Sequence, residues 1–257
     1  MALRISAALR SFVAAGGSYK QAFDNGRLEI YVGTQPASPD VAASGALLAT
    51  ITAASASHVA ETSASGGVAF AGSSGSINGL TVGGTEIMDA AVAYTTSLAN
   101  TMTLLAAAIN KSSKNLDFDC VASADAIVLT PRPNRGTRFN SAVVNCSCTT
   151  LVPTDDDFDT GGAYATGGLL FEDAAAGVLA KRVGQVWSGV AGAGGTAGWF
   201  RLYGPKADTG IVDSAEAHNR LDGSIATSGA QLNIASTTIV NGATQTVASF
   251  SPTQPAA

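Results

Sequence analysis

Charged and aromatic residues are both scarce in this sequence. Charged side chains make up 13% of the 257 residues and aromatic ones 6%, and 14 Lys and Arg against 19 Asp and Glu give a net charge of −5. Because a protein neutralises phosphates with clustered basic side chains, this composition predicts no nucleic-acid partner. The chain also lacks an unbroken apolar run of about 20 residues, so it predicts no membrane partner.

Cysteine and histidine are rarer still. The three cysteines, Cys120, Cys146 and Cys148, are an odd number, which argues against a secreted disulfide framework. In a strand, Cys146 and Cys148 would point to the same face, a poor geometry for bridging each other. A structural zinc site needs four ligands, and the only histidines are His58 and His218. We therefore predict free thiols in a reducing cytosol, with no metal and no cofactor.

No segment has the spacing of a known catalytic motif. The acidic residues Asp155 to Asp157 and Asp159 do not follow the EF-hand pattern, which leaves a solvated loop as the alternative to a calcium site. The glycine-rich segments lack the lysine and hydroxyl residue of a phosphate-binding loop. Neither histidine accompanies a recognisable nucleophile. The prediction is no catalytic residue and no enzyme.

The N-terminal segment, residues 1–24, has the spacing of an amphipathic helix. Ile5, Leu9 and Phe12 recur on one helical face, and Gly16-Gly17 would end the helix. The alternative, a signal peptide, is opposed by Arg10, which interrupts the apolar stretch after five residues. We predict a helical arm whose Ile5, Leu9 and Phe12 dock on a neighbouring subunit.

The rest of the chain is typical of a mainly β protein. Alternating segments such as Arg27–Val32, separated by short turns, predict an antiparallel β-sandwich or barrel-like domain made of residues 25–75 plus 160–257. Residues 76–159 differ, because a Gly83-Gly84 hairpin and a helix from Ser97 to Asn110 predict a small inserted α+β module. Residues 52–79 are expected as loops or weak edge strands, and the acidic run as a linker.

The densest aromatic segment runs from Trp199 to Tyr203. In a strand, Trp199, Arg201 and Tyr203 share one face. These residue types are enriched at binding hot spots, so an exposed row would suit a protein interface. The alternative is a row inside the sandwich core.

Several segments resemble a widespread group of tailed-bacteriophage proteins. The segments that show this resemblance are Gly26-Arg-Leu-Glu-Ile-Tyr-Val-Gly-Thr-Gln-Pro-Ala37, Ala43-Ser-Gly-Ala-Leu-Leu-Ala-Thr-Ile51, Gly195-Thr-Ala-Gly-Trp-Phe-Arg201 and Leu221-Asp-Gly-Ser-Ile-Ala-Thr-Ser-Gly-Ala-Gln-Leu-Asn233. Residues 80–146 resemble a separate phage module. The resemblance implies a virion structural protein, with no catalytic residues to transfer.

Three functional hypotheses follow. The first is a non-enzymatic virion subunit, a capsid decoration or a head–tail or tail component, which assembles in the host cytoplasm and contacts other virion proteins and copies of itself as a homo-oligomer. The second is a surface-adhesion or carbohydrate-binding module on a phage fibre, which requires Trp199 and Tyr203 to be exposed. The third is a hydrolase that uses His58, His218 or distant carboxylates.

Overall fold

The computed structural model describes residues 3–173, 175, 178–214 and 218–252. Residues 1–2 and 253–257, at the ends of the predicted ranges, lie outside this part. The protein is mainly β, with antiparallel sheets. The chain divides into two compact units, Met1–Glu61 with Ala165–Ala257, and Thr62–Tyr164. The boundaries thus differ from the expected 75/76 and 159/160.

The first unit contains a nine-stranded sheet and two helices. Numbered in chain order through both units, its strands are β1 Arg4–Ile5, β2 Arg27–Val32, β3 Leu47–Ala53, β12 Trp187–Val190, β13 Gly195–Tyr203, β14 Arg220–Ala226, β15 Leu232–Asn233, β16 Thr238–Ile239 and β17 Thr244–Val247. Its helices are α1 Ala7–Ala14 and α2 Tyr19–Phe23. The strand order is β1-β14-β13-β2-β3-β12-β17, with β15 beside β14 and β16 beside β13. Only the β14–β15 pair is parallel among the strands in the described residues.

Alternation along the central strands decides which side chains form the apolar core of this unit. Leu28 and Ile30 of β2 and Phe200 and Leu202 of β13 lie on one face of the sheet and are fully buried. Leu9 and Phe12 of α1 belong to the same core, together with residues of α2 and of the 169–179 segment.

Local signals set the limits of α1. The Ser6 side chain accepts a hydrogen bond from the Leu9 N–H at 3.2 Å, as an N-cap residue does. The helix ends before Gly16, whose φ of 88° is the left-handed conformation that glycine adopts at helix ends. Because Leu9 is unexposed and Phe12 only 9% exposed, both are part of the first unit's own core. The expectation that they dock on a neighbouring subunit is wrong, and Ile5 also packs, partly buried, against this core.

The second unit combines two sheets with one long helix. Its strands are β4 Gly66–Ala71, β5 Ser76–Val82, β6 Thr85–Glu86, β7 Val92–Ala93, β8 Phe118–Ala122, β9 Ala126–Pro131, β10 Val144–Thr149 and β11 Val152–Asp156. One sheet has the order β10-β5-β6 with β7 beside β5, and the other has the order β11-β4-β9-β8. The helix α3 spans Leu98–Lys111, and a short 3-10 helix spans Gly136–Phe139.

Two sequence predictions in this unit are confirmed. Gly83 and Gly84 connect β5 to β6 with φ of 55° and 80°, as a two-residue turn with two left-handed positions requires. The Ser97 side chain caps α3 by accepting from the Asn100 N–H at 3.2 Å. Met102, Leu105 and Ile109 of α3 are fully buried, as their spacing predicts.

The expectation of loops or weak edge strands over residues 52–79 is wrong for the part that lies in this unit. Residues 66–71 form β4, which lies inside its sheet between β11 and β9, because Val68 and Phe70 alternate toward the core. Close packing requires glycine at position 67, since a Cβ there would lie 2.2 Å from the Ile127 carbonyl oxygen.

The acidic run is exposed to solvent, as expected, but it is not a linker, because it lies inside the second unit. Asp155 and Asp156 belong to β11, which pairs with β4. The carboxylates bind backbone amides, because Asp157 accepts from the Val144 N–H at 2.8 Å and Asp159 from the Gly161 N–H at 2.8 Å.

Candidate functional site

The second face of the first unit's sheet holds a dense set of ionisable and aromatic side chains. Strand pairing aligns them in three rows: Arg27, Tyr203 and Arg220; Glu29, Arg201, Asp222 and Arg4; and Tyr31, Trp199 and Ser224. These nine side chains from β2, β13 and β14, with Arg4 of β1, are called the polar layer below. Apart from Arg4 and Arg27, every member is classed as buried.

The centre of the polar layer is a two-bond ion pair. The Arg201 Nε and Nη2 atoms donate to the two Asp222 carboxylate oxygens at 2.7 and 2.8 Å, and both side chains are fully buried. A third Arg201 nitrogen, Nη1, donates to the Val41 carbonyl at 2.9 Å. A guanidinium that contacts a carboxylate through two parallel bonds is held in one orientation, so this pair fixes the loop at Val41 against the sheet.

A second ion pair closes the same face with another loop. Arg220 donates through Nε and Nη2 to Asp208 at 2.7 and 2.8 Å, and it also reaches the Pro39 and Val212 carbonyls at 3.1 Å each and the Val41 carbonyl at 3.5 Å. The loop approaches closely at Gly210, where φ is 72° and a Cβ would lie 2.0 Å from the Tyr203 hydroxyl. The segments around residues 36–41 and 208–212 therefore cover the polar layer.

The pKa values of the two buried carboxylates are shifted in opposite directions. For Asp222 burial is the dominant influence and raises the pKa, although Arg201 opposes it. For Asp208 burial also acts upward, but the hydrogen bonds from Arg220 and the Gly210 N–H outweigh it, and the pKa is lowered. Asp208 is thus the carboxylate that its surroundings hold ionised.

The aromatic members of the polar layer stack with one another and with the arginines. Tyr31 and Trp199 stack with ring centroids 4.5 Å apart, and the Arg27 guanidinium lies 4.3 Å from the Tyr203 ring centre. Tyr31 donates to Glu29 and shares a 3.1 Å hydrogen bond with the Tyr203 hydroxyl. Burial, followed by the Glu29 charge, raises the pKa of both tyrosines.

These positions correct the prediction of an exposed Trp199, Arg201 and Tyr203 row. All three side chains are unexposed, because the chain's own loops cover them. In the described part of the chain, Trp199 Nε1 is a buried donor with no hydrogen-bond partner. The row therefore belongs to the interior, which was the alternative interpretation of the sequence.

An open polar cleft of about 620 Å³ lies at the edge of the polar layer, within the first unit. Arg27, Glu29 and Asp208 line it, together with His58 and the hydroxyl residues Thr50, Thr52, Ser55, Ser57 and Thr209. The ionisable groups of this wall are already engaged, because Glu29 accepts from Arg27 Nε at 2.9 Å and from the Tyr31 hydroxyl.

His58 is the imidazole side chain in the cleft, the side-chain type that most often acts as a general base. Its Nε2 lies 2.9 Å from the Asn25 carbonyl oxygen, so Nε2 holds the proton and donates. Burial lowers the pKa of His58, which favours the neutral ring. Ser55, on the same cleft, hydrogen-bonds Ser188 at 2.9 Å. The geometry therefore offers a polar recess, without a serine–histidine contact between these two residues.

The cysteines are free, as predicted. Cys120 is buried in the second unit, and burial raises its pKa to about 12. Cys146 and Cys148 are half-buried on the same face of β10, and their sulfur atoms lie 3.6 Å apart. No group of three or more metal-binding side chains occurs within residues 3–173, 175, 178–214 and 218–252.

Comparison with known proteins adds no relative. No protein-family model matches the chain, and no curated protein and no solved structure is similar to it. Within the described segments, no helix combines the length and the apolar character that a membrane crossing requires.

Most of the polar layer is absent from the predicted site residues. Glu29, Tyr31, Asp208, Arg220 and Asp222 went unnoticed, because an alternating strand such as Arg27–Val32 predicts one solvated face. The available signal was the repetition of the pattern. Three strands that are neighbours in the sheet each place charged or aromatic residues on the same face.

Proposed function

We propose that this chain is a non-enzymatic structural subunit of a tailed-phage virion, a capsid decoration or a head–tail or tail component. In this proposal the first unit is a sandwich-like or barrel-like domain, the second is a module inserted into it, and the protein assembles in multiple symmetric copies. The sequence resemblance of Gly26–Ala37 and the segments that follow it supports the virion assignment.

One surface supports the proposal most directly. The sheet β11-β4-β9-β8 of the second unit has one face in the core and one outside. On the outer face, Val121 and Val128 lie directly opposite each other and are 64% and 45% exposed. Ala69, Ala71 and Val152 continue this face through β4 and β11. We call these five residues the outer sheet face.

Its chemistry suits permanent contact with another protein. The small apolar side chains of this face can be covered at little desolvation cost, whereas Asp119 and Asp156, which share this side of the sheet, require a polar partner at the contact. The polar layer points the same way, because its arginine and aspartate side chains bind each other and the covering loops. The chain's densest charged region thus stabilises the chain's own architecture.

The fibre-adhesion alternative loses its motive. It required an aromatic platform at Trp199 and Tyr203, and both side chains are buried. The hydrolase alternative names His58, His218 or distant carboxylates, and of the two histidines His58 lines the cleft, where its proton is directed to the Asn25 carbonyl. Neither alternative has a feature as extensive as the outer sheet face.

The experiment compares two arginine variants of the purified full chain. Light scattering after gel filtration should give a multimer for the wild type. The double change Val121→Arg with Val128→Arg should shift it to the monomer, because two cations would have to be desolvated at the contact. Val183→Arg is the matched control, since Val183 is 86% exposed and lies in the first unit. A wild type that is strictly monomeric and does not bind phage particles would contradict the proposal.

A further inference from the structure

The two cysteines of β10 form a pair with a defined order of reactivity. Cys146 and Cys148 sit two residues apart on one strand, and their sulfur atoms are within hydrogen-bond distance at 3.6 Å. A disulfide needs a sulfur separation of about 2.05 Å, so a shift of about 1.5 Å would close the pair. The sequence predicts a poor geometry for bridging, and in the structure the two cysteines are close but unbridged.

The backbone at this point is irregular. Between Ser147 and Cys148 the pairing partner on β5 jumps from Gly79 to Ile77, which leaves Asn78 of β5 as the extra residue of a β-bulge. The bulge bends β5 and interrupts the regular pairing of β10 beside Cys148. In addition, β10 lies at the end of its sheet order, so one side of the strand is not paired within that sheet. Both features reduce the strand pairing of β10 beside the two thiols, and the Cys146 N–H donates instead to the Asp155 carboxylate at 3.3 Å.

The two thiols differ in acidity. Burial raises the pKa of both, but the hydrogen bond between them acts in opposite directions. It raises the pKa of Cys146 and lowers that of Cys148. Cys148 is therefore the thiol that ionises first, and its thiolate is stabilised by the Cys146 S–H group.

We propose that Cys146 and Cys148 form a reversible intrachain disulfide by exchange with small-molecule disulfides of the oxidised glutathione class. Cys148 attacks one sulfur of the small disulfide, which forms a mixed disulfide and releases one thiolate. Cys146 then attacks the Cys148 sulfur, closes the protein disulfide and releases the second thiolate. The two protein thiol protons end on the two released thiols, so one small disulfide is reduced for each pair oxidised.

The third cysteine provides an internal control. Cys120 is buried in the core of the second unit, and burial raises its pKa to about 12. A thiol in that state offers little thiolate near neutral pH. It should stay reduced in the folded chain while the β10 pair reacts.

The test treats the native full chain with oxidised glutathione at pH 8, blocks remaining thiols and measures the intact mass. We expect Cys146 and Cys148 of the wild type to take up neither glutathione nor the blocking reagent, as a disulfide requires, and prior treatment with the reductant dithiothreitol to restore the blocking of both. Cys146→Ser should stop at one glutathione on Cys148. Cys148→Ser should react about tenfold more slowly, because only the less acidic thiol remains. Cys120→Ser should behave as the wild type does.

Three results would overturn the proposal. A wild type that retains glutathione as a stable mixed disulfide would show that the pair does not close. Equal rates for Cys146→Ser and Cys148→Ser would show that the order is wrong. A folded wild type that stays fully reduced, while the urea-unfolded chain reacts, would show that neither thiol is accessible.

Discussion

The two units of this chain differ in how deeply they bury their arginine–aspartate pairs. In the first unit, the Arg201–Asp222 and Arg220–Asp208 pairs are almost completely removed from solvent. In the second unit, Arg132 pairs with an Asp119 that is 60% exposed, and Arg138, itself 54% exposed, pairs with Asp117. Exposed pairs add little stability, whereas loss of one partner from a buried pair leaves an unpaired charge in the interior.

This difference shows where each unit is vulnerable. The first unit depends on ion pairs that hold loops onto the second face of its sheet. The second unit has a continuous apolar core built from α3 and both of its sheets. Substitutions of charge should therefore damage the first unit most, whereas substitutions of volume should be costly in the apolar core of either unit.

The largest effect is expected from Arg220→Met. This change leaves Asp208 buried without its cation and frees the Pro39 and Val212 carbonyls. We expect a loss of about 3–5 kcal/mol in the free energy of unfolding. Urea unfolding followed by tryptophan fluorescence measures it, because both tryptophans, Trp187 and Trp199, lie in the first unit.

The matched control makes the same replacement at the surface of the first unit. Arg10 is exposed and donates to the Ile5 carbonyl at 2.9 Å. Arg10→Met should change the unfolding free energy by less than about 0.5 kcal/mol. Equal losses for Arg10→Met and Arg220→Met would contradict the contrast between buried and exposed charge.

A smaller effect is expected from a volume change in the second unit. Leu105 of α3 is fully buried, and Leu105→Ala should cost about 2–5 kcal/mol through the cavity that it leaves. Leu104 is 44% exposed on the same helix, so Leu104→Ala should cost much less. Hydrogen exchange of the α3 amides distinguishes them. Similar losses of protection in both variants would mean that the core is not packed around Leu105.

The smallest expected effect is a pH dependence of the first unit. Burial lowers the pKa of His58 below its unfolded value near 6.5, so the folded state binds this proton less tightly than the unfolded state. Stability should be complete above about pH 6.5 and decrease as the pH falls toward the folded pKa. In the His58→Gln variant, the urea concentration at the unfolding midpoint should change less between pH 7 and pH 5 than it does in the wild type. An unchanged slope in this variant would assign the dependence to another group.

The helices, strands and turns can be predicted from the sequence far better than the polar layer of the first unit can. The β2 strand, α1 and α3, and the Gly83-Gly84 turn each follow from a local pattern. Which side of β13 is covered depends on loops near residues 40 and 210, which are about 170 residues apart in the chain. No local pattern specifies such pairing. β4 was missed for a related reason, since Gly66 and Gly67 indicate a turn unless a close neighbouring strand requires glycine.

The central claim is that the polar layer is internal architecture, and a double-mutant cycle on Arg201 and Asp222 tests it most directly. The cycle compares Arg201→Met, Asp222→Leu and the double variant by urea unfolding, followed through tryptophan fluorescence. Each single change should cost about 3–5 kcal/mol, and the double variant should recover much of that loss because no unpaired charge remains. Single losses below about 1 kcal/mol that simply add in the double variant would contradict the claim, because they are typical of a solvated surface pair.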